Sequence, residues 1–293
     1  MTPLRQRMTE DLTLLNRSPR TIKTYISHVA AFARYFGRSP ELLGAEEIRR
    51  YQLHLIQEKH SGWSNFNQAV CALRFLYGNT LKCTWPVVMI PFGKRPRKLP
   101  VVLGPDEVQK LLACTSRLTL RVLLTTLYAA GLRINEALQL TVPDIDSARM
   151  MLRVRRGKGN KERLVPLSPR LLEELRGHYR RTRPQRWLFP GAKPDQPLNP
   201  GTVQKACQAA ARRAALSKHV TPHVLRHSYA TGLLEAGVDL LTIQQLLGHS
   251  SLSTTLVYLH VRRPHLESII SPLDLLPVSQ LPRVTLPDST PLR

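Results

Sequence analysis

Arg133, Lys158, His223, Arg226, His249 and Tyr258 have the types and the order that suit a single reaction, attack by a side chain on a phosphodiester. A tyrosine hydroxyl, with an ordinary pKa near ~10, is a poor nucleophile at neutral pH until positive groups stabilise the phenolate or a base takes its proton. Arg133, Arg226 and His249 suit the first task, because a planar guanidinium meets two non-bridging oxygens at once where charge grows in a pentacoordinate transition state. His223 suits the second, as the group that accepts or shares the tyrosine proton, and Lys158 suits protonation of the leaving 5′ oxygen. Such chemistry needs no metal, and a phosphotyrosyl bond keeps the energy of the phosphodiester, so resealing needs no ATP.

Taken alone, each signal is weak. "AAGLRINEALQL" sets Arg133 and Glu136 one helical turn apart, so both face one side, yet a lone arginine there is ordinarily solvated or salt-bridged. "RRGKGNKER" carries Lys158 between two glycines, where backbone approaches a ligand closely, without the spacing of a phosphate-binding GxxxxGK[ST] loop. "TPHVLRHSYATGLLEAG" sets His223 and Arg226 at i and i+3 near the positive end of a helix, but the same pair recurs as His178/Arg181 and His260/Arg263. His227 reads as a packing or hydrogen-bonding residue outside the chemistry. In "GHSSLSTTLVYLH" the expected buried stripe is Leu252, Leu256 and Leu259, which turns Tyr258 well off it. By itself that is a half-exposed tyrosine with its hydroxyl in water.

The elements that must position these residues fall into two groups. "RSPRTIKTYISHVAAFARYFG" reads as a helix with Ser18 as N-cap, Pro19 in the first turn and an apolar face of Ile22, Tyr25, Ile26, Val29, Ala33 and Phe36. Amphipathic segments near 4–15, 45–58 and 65–77 join it in a helical domain over 1–90. "PFGKRPRKLP" (91–100) is a basic, Pro-rich linker that suits a path along phosphates. A second domain over 101–270 begins with "GPDEVQKLLACT", whose Pro105, Asp106 and Glu107 mark a helix start. Helices continue to about 140, followed by a β-hairpin over 150–167 with a Gly-rich tip at 157–160. Further helices are expected near 168–180, 199–217, 222–236, 239–247 and 251–261. Residues 271–293 form a Pro-rich tail without periodicity. The fold class is therefore mainly α, in two domains, with a small β-hairpin in the second.

Charge names the partner class. The 293 residues hold 43 Lys and Arg against 20 Asp and Glu, a formal +23, with 42% hydrophobic residues to build real cores. A polyanion is the expected partner, and the excess is shared: 16 basic against 6 acidic residues in 1–98, and 27 against 14 in the remainder. Lys94, Arg95, Arg97 and Lys98 in the linker, with Arg155, Arg156 and Lys161 at the hairpin, are the candidate DNA contacts. Cys71, Cys83, Cys114 and Cys207 form no CxxC pair, which argues against a zinc site or a disulfide framework and fits a reducing compartment. The N-terminus has no apolar h-region, and the longest uncharged apolar stretch is too short to span a bilayer, so a soluble cytoplasmic protein without membrane partners is expected.

"GLRINEAL", "GKGNKERLVPL", "TPHVLRHSYAT" and "LLGHSSLSTTLVYLHV" each resemble a box of the tyrosine recombinase, or phage integrase, family, in family order and at similar spacings. Within it the likeness is to the Xer-like recombinases, tight over most of 100–262 and looser over 1–90, which resembles the family's helical core-binding (SAM-like) domain. The resemblance implies a two-domain clamp around DNA, a catalytic set of Arg133, Lys158, His223, Arg226, His249 and the nucleophile Tyr258, and Glu136 as a supporting acid. It implies no cofactor. The implied reaction is site-specific recombination of double-stranded DNA through a 3′-phosphotyrosyl intermediate and a Holliday junction. Four protomers act on paired sites, identical or joined by a related second recombinase, in integration, excision or resolution. The tail beyond about 270 departs from the usual Xer ending. "LPVVLGPDEV" resembles integron integrases, although the stretch from Lys158 to His223 is short for their extra helix; a recombinase of a mobile element therefore stands beside a chromosome-resolving one. Two other readings use the same residues: a type IB topoisomerase-like enzyme that relaxes DNA, and a catalytically silent DNA-binding accessory protein of a transposon.

Overall fold

The computed structural model describes residues 2–83, 90–93, 99–155, 162–193 and 195–260. The chain divides into two compact units, residues 1–98 and 99–293.

In the first unit the helices are α1 (Pro3–Leu14), α2 (Pro19–Phe36), α3 (Ala45–Gln57) and α4 (Trp63–Phe75), the last running into a π-helical turn at Leu76–Thr80. Ser18 caps α2 as its sequence predicts, its hydroxyl accepting the Thr21 N–H, and Gly37 ends the helix at φ 63°. The apolar face of α2 differs in one respect from the expected stripe. Phe32 is its most deeply buried residue, edge-on to Phe36, Tyr51 and Tyr77, while Ile22, Tyr25 and Phe36 are only partly covered. Pro91 and Gly93 are fastened to this unit, the Pro91 carbonyl accepting from Gln52 and Gly93 exchanging two hydrogen bonds with Asn67.

The second unit contains α5 (Pro105–Ala113), α6 (Leu118–Ala129), α7 (Ile134–Leu138), strands β1 (Ile145–Asp146), β2 (Met151–Val154) and β3 (Arg163–Pro166), then α8 (Pro169–Thr182), α9 (Pro200–Arg213), α10 (Pro222–Glu235), α11 (Leu240–Leu247) and α12 (Ser253–Leu256). The hairpin strands lie where alternation puts them, antiparallel with Leu152 opposite Val165, and β1 adds a two-residue edge that periodicity cannot reveal. Helix α6 is apolar over most of its surface and forms the centre of the core, burying Leu120, Val122, Leu123, Leu124 and Leu127. Among the described residues no helix is long and apolar enough to cross a membrane.

The C-terminal stripe is a correction. Leu252, Leu256 and Leu259 are 38%, 39% and 41% exposed, whereas Thr255 and Tyr258 are buried. After α12 the chain tightens into a 3₁₀ turn at Val257–His260, and in such a turn residues three apart eclipse one another. That brings Thr255 and Tyr258 onto one inward face. Their burial is tolerated because each hydroxyl has a partner, His249 for Thr255 and His227 for Tyr258.

Candidate active site

Helix α6 ends in a turn through Gly131 at φ 60°, and a Cβ there would stand 2.3 Å from the Tyr229 ring. This glycine is required twice, for its backbone conformation and for its lack of a side chain. The turn delivers Arg133 immediately before α7. Glu136, in the first turn of that short helix, reaches back to accept the Arg133 N–H at 2.9 Å and Arg133 Nη1 at 2.7 Å. The expected pairing of these two residues is therefore present, with Arg133 just ahead of the helix.

Glu136 also takes a bidentate grip from Arg163 of β3, Nη2 at 2.7 Å and Nη1 at 3.1 Å, and lies 3.8 Å from Arg226 Nη1. Burial pushes its carboxyl up, but the bonds and charge of Arg163, with the two bonds from Arg133, outweigh this and hold it below the usual carboxylate range. One buried carboxylate thus gathers three guanidinium groups that would otherwise repel one another.

A second anchor holds the same three. Arg163 Nε donates to the Leu246 carbonyl, Arg226 Nη2 to that of Leu247 and Arg133 Nη2 to that of Gly248. The C-terminal end of α11 carries unsatisfied carbonyls and partial negative charge, which cations there relieve. Gly248, at φ 61°, closes that end against the Arg163 guanidinium.

Arg226, fully buried on α10, also donates Nη1 to the Gly131 carbonyl at 2.6 Å. Burial and the charge of Arg133 lower its pKa to about 10, so it remains cationic at neutral pH. Among the described residues its Nε–H has no partner. For a group this buried, an unused donor is costly unless something arrives to accept it.

Tyr258 packs in an apolar cluster with Ala230, Leu234, Ile243 and Leu247. Burial raises its pKa more than Arg226 and Arg133 lower it, so the resting phenol is protonated. Its hydroxyl is 2.9 Å from His227 Nδ1. The His249 ring lies nearly parallel to the Tyr258 ring, with centroids 6.4 Å apart, and its Nδ1 is 2.9 Å from Thr255 Oγ1. Burial, Arg226 and Arg133 lower His249 to about 3, which leaves it neutral.

Of the residues singled out from the sequence, Arg133, Glu136, Arg226, His249 and Tyr258 come together. His223 is exposed, and its ring centre is 4.4 Å from that of His227. Arg155 is bound to the buried carboxylate of Asp144. Lys158, Arg156 and Lys161, the linker residues Lys94, Arg95, Arg97 and Lys98, and the tail over 271–293 lie outside the described residues. The His178 copy of the recurrent pair is a core histidine whose Nε2 bonds the Leu188 carbonyl. Sequence reasoning missed two residues. His227 had a signal, since it sits four residues from His223 and therefore on the same helical face. Arg163 had none, because nothing local separates it from the other arginines of the hairpin.

The chain matches the phage integrase family over residues 102–265 and the N-terminal SAM-like domain of phage integrases over residues 4–87. The y4qK protein of Sinorhizobium fredii, an integrase/recombinase by inference, is 50% identical over 278 residues, covering 94% of this chain and 90% of that one. Tyrosine recombinase XerA of Pyrococcus horikoshii is 35% identical over 265 residues, covering 88% and 89%. The fold resembles that of a lambda integrase dimer bound to a COC′ core site, with TM-score 0.71 and 21% identity over 86% of this chain and 95% of that one. With both units matched in order and a tyrosine set among gathered arginines and histidines, the chain belongs to the phage integrase family and is a tyrosine recombinase.

Proposed function

We propose that this recombinase cuts and rejoins double-stranded DNA at a specific site, with Tyr258 as the nucleophile that forms a 3′-phosphotyrosyl bond. Arg133 and Arg226 hold the non-bridging oxygens of the scissile phosphate, each with guanidinium donors left over from its protein bonds. Neutral His249 donates a hydrogen bond to the same group, His223 contributes from the start of α10, and Lys158 protonates the leaving 5′ oxygen. Glu136 keeps the arginines in place. Because one ester replaces another, the strands are resealed without ATP. Exchange proceeds through a Holliday junction in a tetramer on paired sites, and DNA as substrate puts the work in the cytoplasm.

In this reading residues 1–90 bind the core of the site, 91–100 link the domains along the phosphates, 101–270 catalyse and 271–293 form a tail. The observation that carries the reading is the buried Tyr258 hydroxyl beside Arg226, whose Nε–H lacks a partner among the described residues. The relatives support it: XerH has been crystallised on its difH substrate in a post-cleavage complex.

Covalent trapping tests it. Purified protein incubated with nicked suicide duplexes from the DNA flanking its gene, then denatured, is expected to give a protein–DNA adduct that Tyr258→Phe abolishes. An adduct that survives in Tyr258→Phe, or none on any duplex despite intact binding, overturns the assignment. Relaxation of a two-site plasmid without recombination would instead favour the topoisomerase-like activity.

A further inference from the structure

We infer that His227 is a further catalytic residue, the group that takes the phenol proton of Tyr258 during attack and returns it when the phosphotyrosyl bond is reversed. The inference rests on Tyr258 being the nucleophile. It replaces His223 in the base role, where sequence order alone had put it.

The geometry makes the choice. Among the described residues, His227 is the imidazole in hydrogen-bond contact with the reacting oxygen, at 2.9 Å through Nδ1. His249 lies alongside the Tyr258 ring with its Nδ1 on Thr255, and His223 is one ring further away, 4.4 Å from His227 between centroids. The groups facing His227 are Tyr258 from the turn after α12, His249 from the segment between α11 and α12, and His223 and Arg226 from α10. Burial, then His223, then Arg226 lower its pKa to about 4, so at neutral pH the ring is uncharged. With its hydrogen on Nε2, the Nδ1 lone pair accepts the phenol O–H.

The step balances. The proton moves from Tyr258 Oη to His227 Nδ1 as Oη bonds phosphorus and the bond from phosphorus to the 5′ oxygen breaks, that oxygen taking a proton from Lys158. In reversal the 5′ hydroxyl attacks phosphorus and returns its proton to Lys158, the bond from phosphorus to Tyr258 Oη breaks, and His227 gives its proton back to the leaving phenolate. An arriving phosphate anion offsets the neighbouring cations and raises the basicity of His227. His223 is thereby free to bind the phosphate.

The test compares wild type, His227→Ala and His227→Gln in single-turnover adduct formation on the duplex that wild type cleaves, from pH 5.5 to 9.5. Wild type is expected to vary little. Both variants should lose about 10²-fold at pH 7 and recover about tenfold per pH unit as hydroxide replaces the base. Added imidazole should rescue His227→Ala, and melting curves should show both variants folded. A loss independent of pH and imidazole, or full activity in His227→Gln, overturns the base role. Should wild type itself form no adduct, the nucleophile assignment fails separately. The contact is then read without DNA: in ¹⁵N-histidine-labelled protein the His227 Nδ1 signal should be that of an unprotonated acceptor and should shift in Tyr258→Phe. No shift overturns the inference.

Discussion

Glu136 decides the electrostatics of the site from a single side chain. Three arginines crowd together because a buried carboxylate accepts four hydrogen bonds from two of them and lies 3.8 Å from the third. Removing one partner of such a buried cluster leaves charge uncompensated, which costs about 3–5 kcal/mol. Glu136→Gln should therefore lower the stability of the catalytic unit by that order in urea or thermal melts and weaken adduct formation. A change within error would mean that the helix end alone holds the arginines. Arg133→Ala makes a different prediction, since its guanidinium meets one phosphate among many. Cleavage should fall by ~10²-fold or more while DNA affinity in a gel-shift titration changes less than ~10-fold. Equal losses in both would remove Arg133 from the chemistry.

At the scale of elements, short irregular pieces do the positioning. Gly131 turns the chain out of α6, its carbonyl holds Arg226, and the absent Cβ leaves room for Tyr229. Gly37 provides a control, with almost the same backbone conformation at φ 63° and nothing within 4 Å of a Cβ. Gly37→Ala should cost about 1 kcal/mol, the price of the left-handed backbone alone. Gly131→Ala must also displace an aromatic ring, so it should destabilise by more and lower cleavage in the molecules that stay folded. Equal melting losses for the two would contradict the packing argument. Helix α11 matters less for its length than for its C-terminal carbonyls, which take three arginines in succession. Caps, Pro starts and strand alternation made most helices and the hairpin legible. The last turn was not, because a 3₁₀ twist and two satisfied hydroxyls outweighed the leucines.

For the whole molecule, net charge and half-buried histidines set the solution behaviour. A formal +23 carried by both units predicts that DNA affinity falls steeply with salt as counterions are released, with a log–log slope of about −5 or steeper. A flat response would mean that the charge is not used on phosphates. The histidines predict a pH dependence of folding. Loss of hydration lowers His227 to about 4 and His249 to about 3 in the folded chain, against ~6.5 when unfolded. Their contribution is full above ~6.5 and is lost as pH falls towards those folded values, because the unfolded chain takes up the protons first. Between pH 6.5 and 5, above the ordinary carboxylate range, the melting temperature of wild type should drop. The drop should shrink in a His227→Gln/His249→Asn double variant; an unchanged slope would show that these rings are not the cause.

By itself the sequence determined what local rules encode: two domains, mainly helical, a hairpin framed by alternating strands, and a polyanion as partner. It also marked out the ordered candidates from Arg133 to Tyr258, by residue type and spacing along one chain. Only the tertiary structure decided which groups touch. Arg163 reaches Glu136 across 27 positions and Leu246 across 83, and Tyr258 meets His227 across 31. Periodicity describes the face of an element and carries no information about what another element brings to it. The proton partner of Tyr258 and the burial of its ring were set by long-range packing, in which a satisfied polar tip can go inward and a leucine can be left in water.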